Sequence, residues 1–360
     1  MAVSADGNTA LVGGVSNPIG IGAAWVFTRS NGAWTQQGNM LVGTGSSGTS
    51  SEQGWSVALS ADGNTALVGA PGDNLSVGAA WVFTRSNGTW TQQGSKLVGS
   101  GGAGIGDQGS SVALSADGNT ALVGALADNS SVGAAWVFAR SNGAWTQQGN
   151  KLVGSGASGL SAQGSSVAIS ADGNTAIIGG PYDNSNVGAA WVFSRSNGTW
   201  TQQGNMLVGS GASGSADEGI SVALSADGNT ALIGGFIDNS MAGAAWVFTR
   251  SSGTWTQQGS KLVGSGASGL AYQGISAALS ADGNTAVIGG FGDNSFTGAA
   301  WVFTRSSGAW TQQGSKLVGT GASGTSFEGY SAALSSDGST AILGGYQDNS
   351  FVGAAWVFTP

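Results

Sequence analysis

Ser56-Val-Ala-Leu-Ser-Ala-Asp-Gly-Asn-Thr-Ala-Leu-Val-Gly69 joins two short apolar runs through the turn Ala61-Asp-Gly-Asn64. Asp-Gly supplies the positive φ that a tight primed turn needs, so the stretch reads as a β-hairpin. It is written seven times. The turn aspartates are Asp6, Asp62, Asp117, Asp172, Asp227, Asp282 and Asp337, 56 residues apart at the first step and 55 at the next five. A fixed period of about this length marks a repeat architecture, and it lets the copies be read against one another.

Each hairpin is followed by a loop containing Asp73-Asn74, then Gly78-Ala-Ala-Trp-Val-Phe-Thr84, a turn at Ser86-Asn-Gly88, and Trp90-Thr-Gln-Gln-Gly-Ser-Lys-Leu-Val98. Four short strands, A to D, per copy fit one blade of a β-propeller. Strands A to C are nearly continuous apolar runs, as expected when both sheet faces are covered, whereas strand D carries Gln-Gln and Lys like an outer edge. Strands A, B and C occur seven times and strand D six times. The expected fold is all-β: residues 1–360 as a single seven-bladed β-propeller of four-stranded antiparallel blades, the last lacking its outer strand. Met1 aligns with Val57, inside strand A, and the chain ends at Pro360, just past the seventh strand C. This leads us to expect a fragment of a longer chain, with an intrinsically weak seventh blade as the alternative.

Composition narrows the chemistry. Sixty-seven glycines and only 8% charged residues suggest low complexity, but 14 Trp, 12 Phe and evenly spaced Val, Leu and Ile can bury a core. There is no Cys and no His, which removes thiolate chemistry, disulfides and the commonest general base and metal ligand. No stretch approaches the ~20 apolar residues that span a bilayer. An enzyme is not expected.

Val68-Gly-Ala-Pro71, followed by Asp73, Gly78 and Trp81-Val-Phe83, resembles the FG-GAP repeat, which builds the propeller of integrin α subunits and of many bacterial surface proteins. The resemblance recurs along the whole chain and implies an extracellular or cell-surface module for binding or adhesion. Where the family has Phe-Gly, this chain has Gln53-Gly54, Gln108-Gly109, Gln163-Gly164, Glu218-Gly219, Gln273-Gly274 and Glu328-Gly329. The family's calcium loops gather several carboxylates, whereas each hairpin here offers one Asp, too few for a cation that takes six or more oxygens. No cofactor is therefore expected. Asp217-Glu218 beside Asp238 is the best place for an adventitious Ca²⁺.

The hairpin turns are almost invariant, and variation falls in the D–A and B–C loops, which a propeller places on one face. Ten aromatics outside the repeated positions lie in or beside those loops: Trp55, Tyr182, Phe236, Tyr272, Phe291, Phe296, Phe327, Tyr330, Tyr346 and Phe351. Loops on a rigid scaffold are where binding residues concentrate, so these rings are the candidate ligand-binding face. Gap-filling between blades is the competing structural reading. The same loops hold eleven carboxylates (Glu52, Asp73, Asp107, Asp128, Asp183, Asp217, Glu218, Asp238, Asp293, Glu328, Asp348) and no basic residue, with the four lysines assigned to strand D. An acidic face of that kind would repel nucleic acid and anionic membranes. The expected partner is a protein or carbohydrate, with no nucleic acid and no direct membrane insertion; a purely structural spacer is the alternative.

Overall fold

The computed structural model describes residues 1–16, 20–48 and 50–359. Its strands form seven separate sheets, six of four strands and one of three, each in simple meander order. In the second blade these are A (Ser56–Leu59), B (Thr65–Ala70), C (Ala79–Ser86) and D (Thr89–Gln92). Beyond Gln92 the chain bulges at a turn and returns to pair Leu97 with Ala80, so strand D has two short segments on one edge. The last sheet contains Ser331–Leu334, Ala341–Gly345 and Ala354–Phe358, with strand C as its outer edge. Seven blades, the last three-stranded, match the sequence reading. No helix is long and apolar enough to cross a membrane among the described residues.

The hairpin turn explains its own invariance. Ser60 Oγ donates to Asp62 Oδ1 (2.6 Å), Asn64 N–H donates to the same oxygen (2.9 Å), Asn64 Nδ2 donates to Asp62 Oδ2 (3.0 Å), and Thr65 N–H closes onto Ser60 Oγ (2.9 Å). Both carboxylate oxygens are therefore taken by their own turn. At Asp282 the hydroxyl of Ser280 is the chief cause holding the carboxyl below its usual range, with Asn284 and Arg305 adding to it against a small cost of burial.

The turns also close the ring. Ala5 N–H donates to Ala61 O, Ala61 to Ala116, Ala116 to Ala171, Ala171 to Ala226, Ala226 to Ala281, Ala281 to Ser336, and Ser336 back to Ala5, all at 2.8–3.1 Å. Seven backbone hydrogen bonds thus encircle the inner end of the hairpins.

Between blades the core is apolar. Ala58, Leu67, Ala80, Val82 and Leu97 of the second blade pack with Val112, Ala121, Val123, Trp136 and Phe138 of the third, and equivalent clusters fill the other interfaces from the first blade through to the seventh. Trp81, Trp136, Trp191, Trp246 and Trp301 are fully buried. A second latch ties the outer edges together: Gln37 Oε1, on strand D of the first blade, accepts from Arg85 Nη1 (3.0 Å) and Trp90 Nε1 (3.1 Å) of the second. Arg85 lies over the Trp90 ring at 5.3 Å, adding a cation–π contact.

Candidate functional site

The sequence assigns the variable residues to one face, and the loop hydrogen bonds place them there. Asp73–Ser76 opens the B–C loop of the second blade, and the third to seventh blades repeat it. Asn74 and Leu75 have φ/ψ of 51°/55° and 56°/46°, and Ser76 has φ 63°, so this segment is one turn of left-handed backbone. L-residues resist that conformation by roughly 1–2 kcal/mol each, so neighbours must fix it. Asn74 N–H donates to Ser47 O in the preceding D–A loop, while Gly106 and Asp107 N–H donate to Ser76 O from the following one. The D–A and B–C loops are thereby stitched into a continuous surface.

The residue that departs from the resembled Phe-Gly pattern acts as a polar peg. Gln53 Oε1 accepts from Gly43 N–H (2.6 Å) and its Nε2 donates to Gly43 O (3.1 Å), so the side-chain amide pairs with a peptide as another strand would. Gln108, Gln163 and Gln273 do the same on Gly99, Gly154 and Gly264. Glu218 and Glu328 keep the acceptor half, receiving Gly209 N–H (2.5 Å) and Gly319 N–H (2.8 Å). A carboxylate has no hydrogen to give the glycine carbonyl; only the protonated acid restores the pair. Burial pushes Glu218 up to about 8, with nearby Asp238 adding to it against Gly209 and Lys261, and pushes Glu328 up to about 7.

The charge reading is corrected. Asp73, Asp128, Asp183, Asp238 and Asp293 are buried, as are Asp217, Glu218 and Glu328. The strand D lysines reach over onto this same face: Lys96 pairs with Asp73 at 2.5 Å, and Lys151, Lys261 and Lys316 pair with Asp128, Asp238 and Asp293. The loop aspartates serve as internal anchors, with Asp73 Oδ1 also accepting from Ser47 N–H (2.8 Å). The face is therefore far less acidic than a count of its carboxylates suggests. Asp217, Glu218 and Asp238 are adjacent, but Asp238 is committed to Lys261 and Ser213, and no group of three such side chains suited to a metal exists among the described residues.

Asp183 lacks that lysine. Met206 stands where the second, third, fifth and sixth blades have lysine and the first has Met40, and buried Asp183 Oδ2 has no hydrogen bond. Burial raises its pKa above the usual carboxylate range. Met206→Lys is expected to place an ammonium on that oxygen and to stabilise the fold by roughly 1–2 kcal/mol, since an unpaired buried charge is costly. Chemical denaturation at pH 7 checks this; an unchanged midpoint would contradict it.

The aromatics separate into one array and two outliers. Phe236, Tyr272, Phe291, Phe296, Phe327, Tyr330, Tyr346 and Phe351 form an unbroken chain of ring contacts across the fifth to seventh blades. Tyr272 stacks on Phe291 (centroids 4.8 Å), Phe291 on Phe327 (5.4 Å), Phe327 on Phe296 (5.2 Å), and Tyr330 meets Tyr346 edge-on (4.8 Å). The inner rings, Phe236, Tyr272, Phe291 and Phe327, are half-buried and pack on one another, as gap-filling predicts. Phe296, Tyr330, Tyr346 and Phe351 remain 39–71% exposed. Trp55 and Tyr182 line separate open clefts of about 220 and 470 Å³ that share Leu126.

Several apolar residues of this face escape an inventory restricted to aromatics. Leu75, Ile105, Leu160 and Leu270 are more than half exposed on these loops. Reading the copies against one another for aliphatic as well as aromatic departures finds them.

No protein-family model matches the sequence, and no curated protein matches it. The FG-GAP resemblance thus gains no support from family comparison. Solved structures share the architecture. A protein provisionally described as a 6-phosphogluconolactonase, from Bacteroides uniformis, superposes with a TM-score of 0.66 at 14% identity, covering 98% of this chain and 92% of that one. The periplasmic gluconolactonase of Pseudomonas aeruginosa gives 0.60 at 18% identity, covering 98% and 91%. The β-propeller domain of Myceliophteria thermophila Cps50 (Swd1) gives 0.59 at 9%, covering 99% and 95%. At these identities the likeness is one of fold.

Proposed function

We propose that the chain is a non-catalytic binding module whose ligand, a protein or glycan, is held by the exposed rings Phe296, Tyr330, Tyr346 and Phe351 on their stacked base. The observation that carries this reading is the continuity of the aromatic array on backbone that disfavours it. Tyr272, Phe296, Phe327 and Phe351 have φ between 56° and 69°, whereas equivalent positions in other copies hold Glu52, Asp107, Ala162, Ser76 or Ser131 in the same conformation. Bulky residues are the least suited to that region, and such outliers gather at functional sites. Rigid aromatic surface offers contact area at little entropic cost. The resemblance to FG-GAP surface proteins, and with it an extracellular setting and a role in adhesion, is consistent with such a module and belongs to the proposal.

The test is a screen of soluble glycans and surface proteins against the parent and a Phe296→Ala, Tyr346→Ala, Phe351→Ala triple variant. Exposed side chains contribute little to stability, so the variant should melt within a few degrees of the parent while losing at least roughly tenfold in affinity. A parent that binds nothing, at equal stability, would leave the spacer reading. Hydrolysis of gluconolactone or 6-phosphogluconolactone, the chemistry named for two of the structural neighbours, would overturn the non-catalytic reading.

A further inference from the structure

Four of the eleven loop carboxylates are paired with lysines, and Glu218 and Glu328 hold their protons to about pH 8 and 7. Of the five that remain, four surround the two clefts that share Leu126. Glu52 and Asp107 line the smaller, of about 220 Å³. Asp183 and Asp217 adjoin the larger, of about 470 Å³, through two residues of its wall: Ser158 N–H donates to Asp183 Oδ1 (2.6 Å), and the Asn186 side chain hydrogen-bonds Asp217. Neither lining includes a Lys or Arg.

Among the described residues, three buried side-chain oxygens lack a hydrogen-bond partner, and two of them are Asp183 Oδ2 and Asp217 Oδ1. Both residues are at most 2% exposed. A buried carboxylate with an unused oxygen costs free energy until a cation meets it. Elsewhere the chain supplies that cation itself: Lys96 Nζ reaches Asp73 Oδ2 at 2.5 Å and lies 5.7 Å from the Trp81 ring. Here it does not, because Met206 replaces the lysine at Asp183, and the loop around Asp217 holds no basic residue. The same walls offer apolar surface, with half-exposed Trp55 and Tyr182 beside Leu126 and Leu160.

We propose that the joined clefts bind an aliphatic polyamine, a chain of methylenes carrying several ammonium groups. Ammoniums meet Glu52 and Asp107 at one end and Asp183 and Asp217 at the other, with exposed Asn186 swinging aside to uncover Asp217. The methylenes between them lie along Leu126, and the rings of Trp55 and Tyr182 attract the adjacent cations through their faces. A divalent metal ion has no use for the rings and needs six or more oxygens drawn close together. The site shares no residue with Phe296, Tyr330, Tyr346 and Phe351, so it stands apart from the surface proposed above.

Calorimetry and thermal melting of the 360-residue chain with spermine, at about pH 7.5 and physiological ionic strength, test this. One spermine per chain and a rise in Tm are expected, with no binding of the uncharged octane-1,8-diol. Glu52→Gln, Asp107→Asn should weaken binding about tenfold, and so should Trp55→Ala, Tyr182→Ala. Gln and Asn keep the shape of the acids they replace and the rings are half-exposed, so both variants are expected to fold. Met206→Lys, which gives Asp183 an ammonium from within, should weaken binding about fivefold. The Phe296→Ala, Tyr346→Ala, Phe351→Ala variant should bind spermine as the parent does, which separates this site from the aromatic array. Absence of binding at millimolar spermine would overturn the proposal. So would unchanged affinity in either double variant, or tighter binding of Mg²⁺ or of trilysine than of spermine.

Discussion

Replacing Trp191 by alanine is expected to destabilise the propeller by about 3–5 kcal/mol, the usual cost of emptying a fully buried aromatic site. Trp191 is wholly buried between the third and fourth blades, among Leu122, Val137, Ile178 and Phe193, and its Nε1 donates to Ser155 O at 2.9 Å. Truncation leaves a cavity and an unpaired carbonyl. The neighbouring backbone cannot close on the space without cost, because it already sits against the ring. A Cβ added to Gly154 would fall 2.1 Å from Trp191 Cδ1, so Gly154→Ala is expected to be comparably harmful. Trp356→Ala should cost less than about half as much, since that ring borders the open edge and is partly exposed. Denaturant midpoints of the three variants check the order. Equal losses at Trp191 and Trp356 would contradict looser packing of Trp356 between the sixth and seventh blades.

The second large effect is on pH dependence. The native fold holds protons on Glu218 up to about pH 8, on Glu328 up to about 7 and on Asp217 up to about 6. In each case burial is the leading cause, and the unfolded chain releases the same protons near its ordinary carboxylate pKa. Because the native state binds them more tightly, stability is greatest below about pH 4.5 for these groups and falls as pH rises through 6, 7 and 8. The Met1 amino group acts in the opposite direction. Its burial lowers its pKa from 8.0 to about 6, which makes the native state gain stability over that interval. The turn aspartates, held below their ordinary range, matter only under more acidic conditions. A comparison with Glu218→Gln, Glu328→Gln cancels these other contributions. The double variant restores the amide pairing of Gln163 on Gly154 at both sites, and is expected to exceed the parent by roughly 3 kcal/mol at pH 8.5 and by less than about 1 kcal/mol at pH 4.5. Urea denaturation at the two pH values measures this. A pH-independent difference would mean that the acids are ionised throughout.

Much of this was legible in the sequence. The Asp-Gly period fixes the number of blades, the missing seventh Trp-Thr-Gln fixes the three-stranded sheet, and reading the copies against one another finds all ten variable aromatics. What was not legible shares one cause: a sequence shows which residues a loop contains, but not where long side chains end. Lys96 belongs to strand D by position, yet its ammonium lies on Asp73 in the B–C loop, so a count by segment makes the face more acidic than the fold presents it. Gln53 reads as a departure from a family pattern, and only its two hydrogen bonds to Gly43 reveal a peptide mimic whose glutamate versions titrate. The left-handed turn at Asn74–Ser76 was equally hidden, because Leu75 and Ser76 are not residues whose propensity announces it; it is imposed by the loops on either side. Likewise the division of the rings into a packed base and an exposed outer set depends on contacts between three blades.

The central claim is that the shared repeat is scaffold and the departures from it are function. It is tested most directly by a chain in which the ten variable aromatics are replaced by the commonest residue at each position, assayed by thermal melting and by binding to whatever glycan or protein the parent retains. The account predicts a propeller with an equal or higher Tm and no measurable binding. A reverted chain that binds as the parent does, or one that no longer folds, would contradict it.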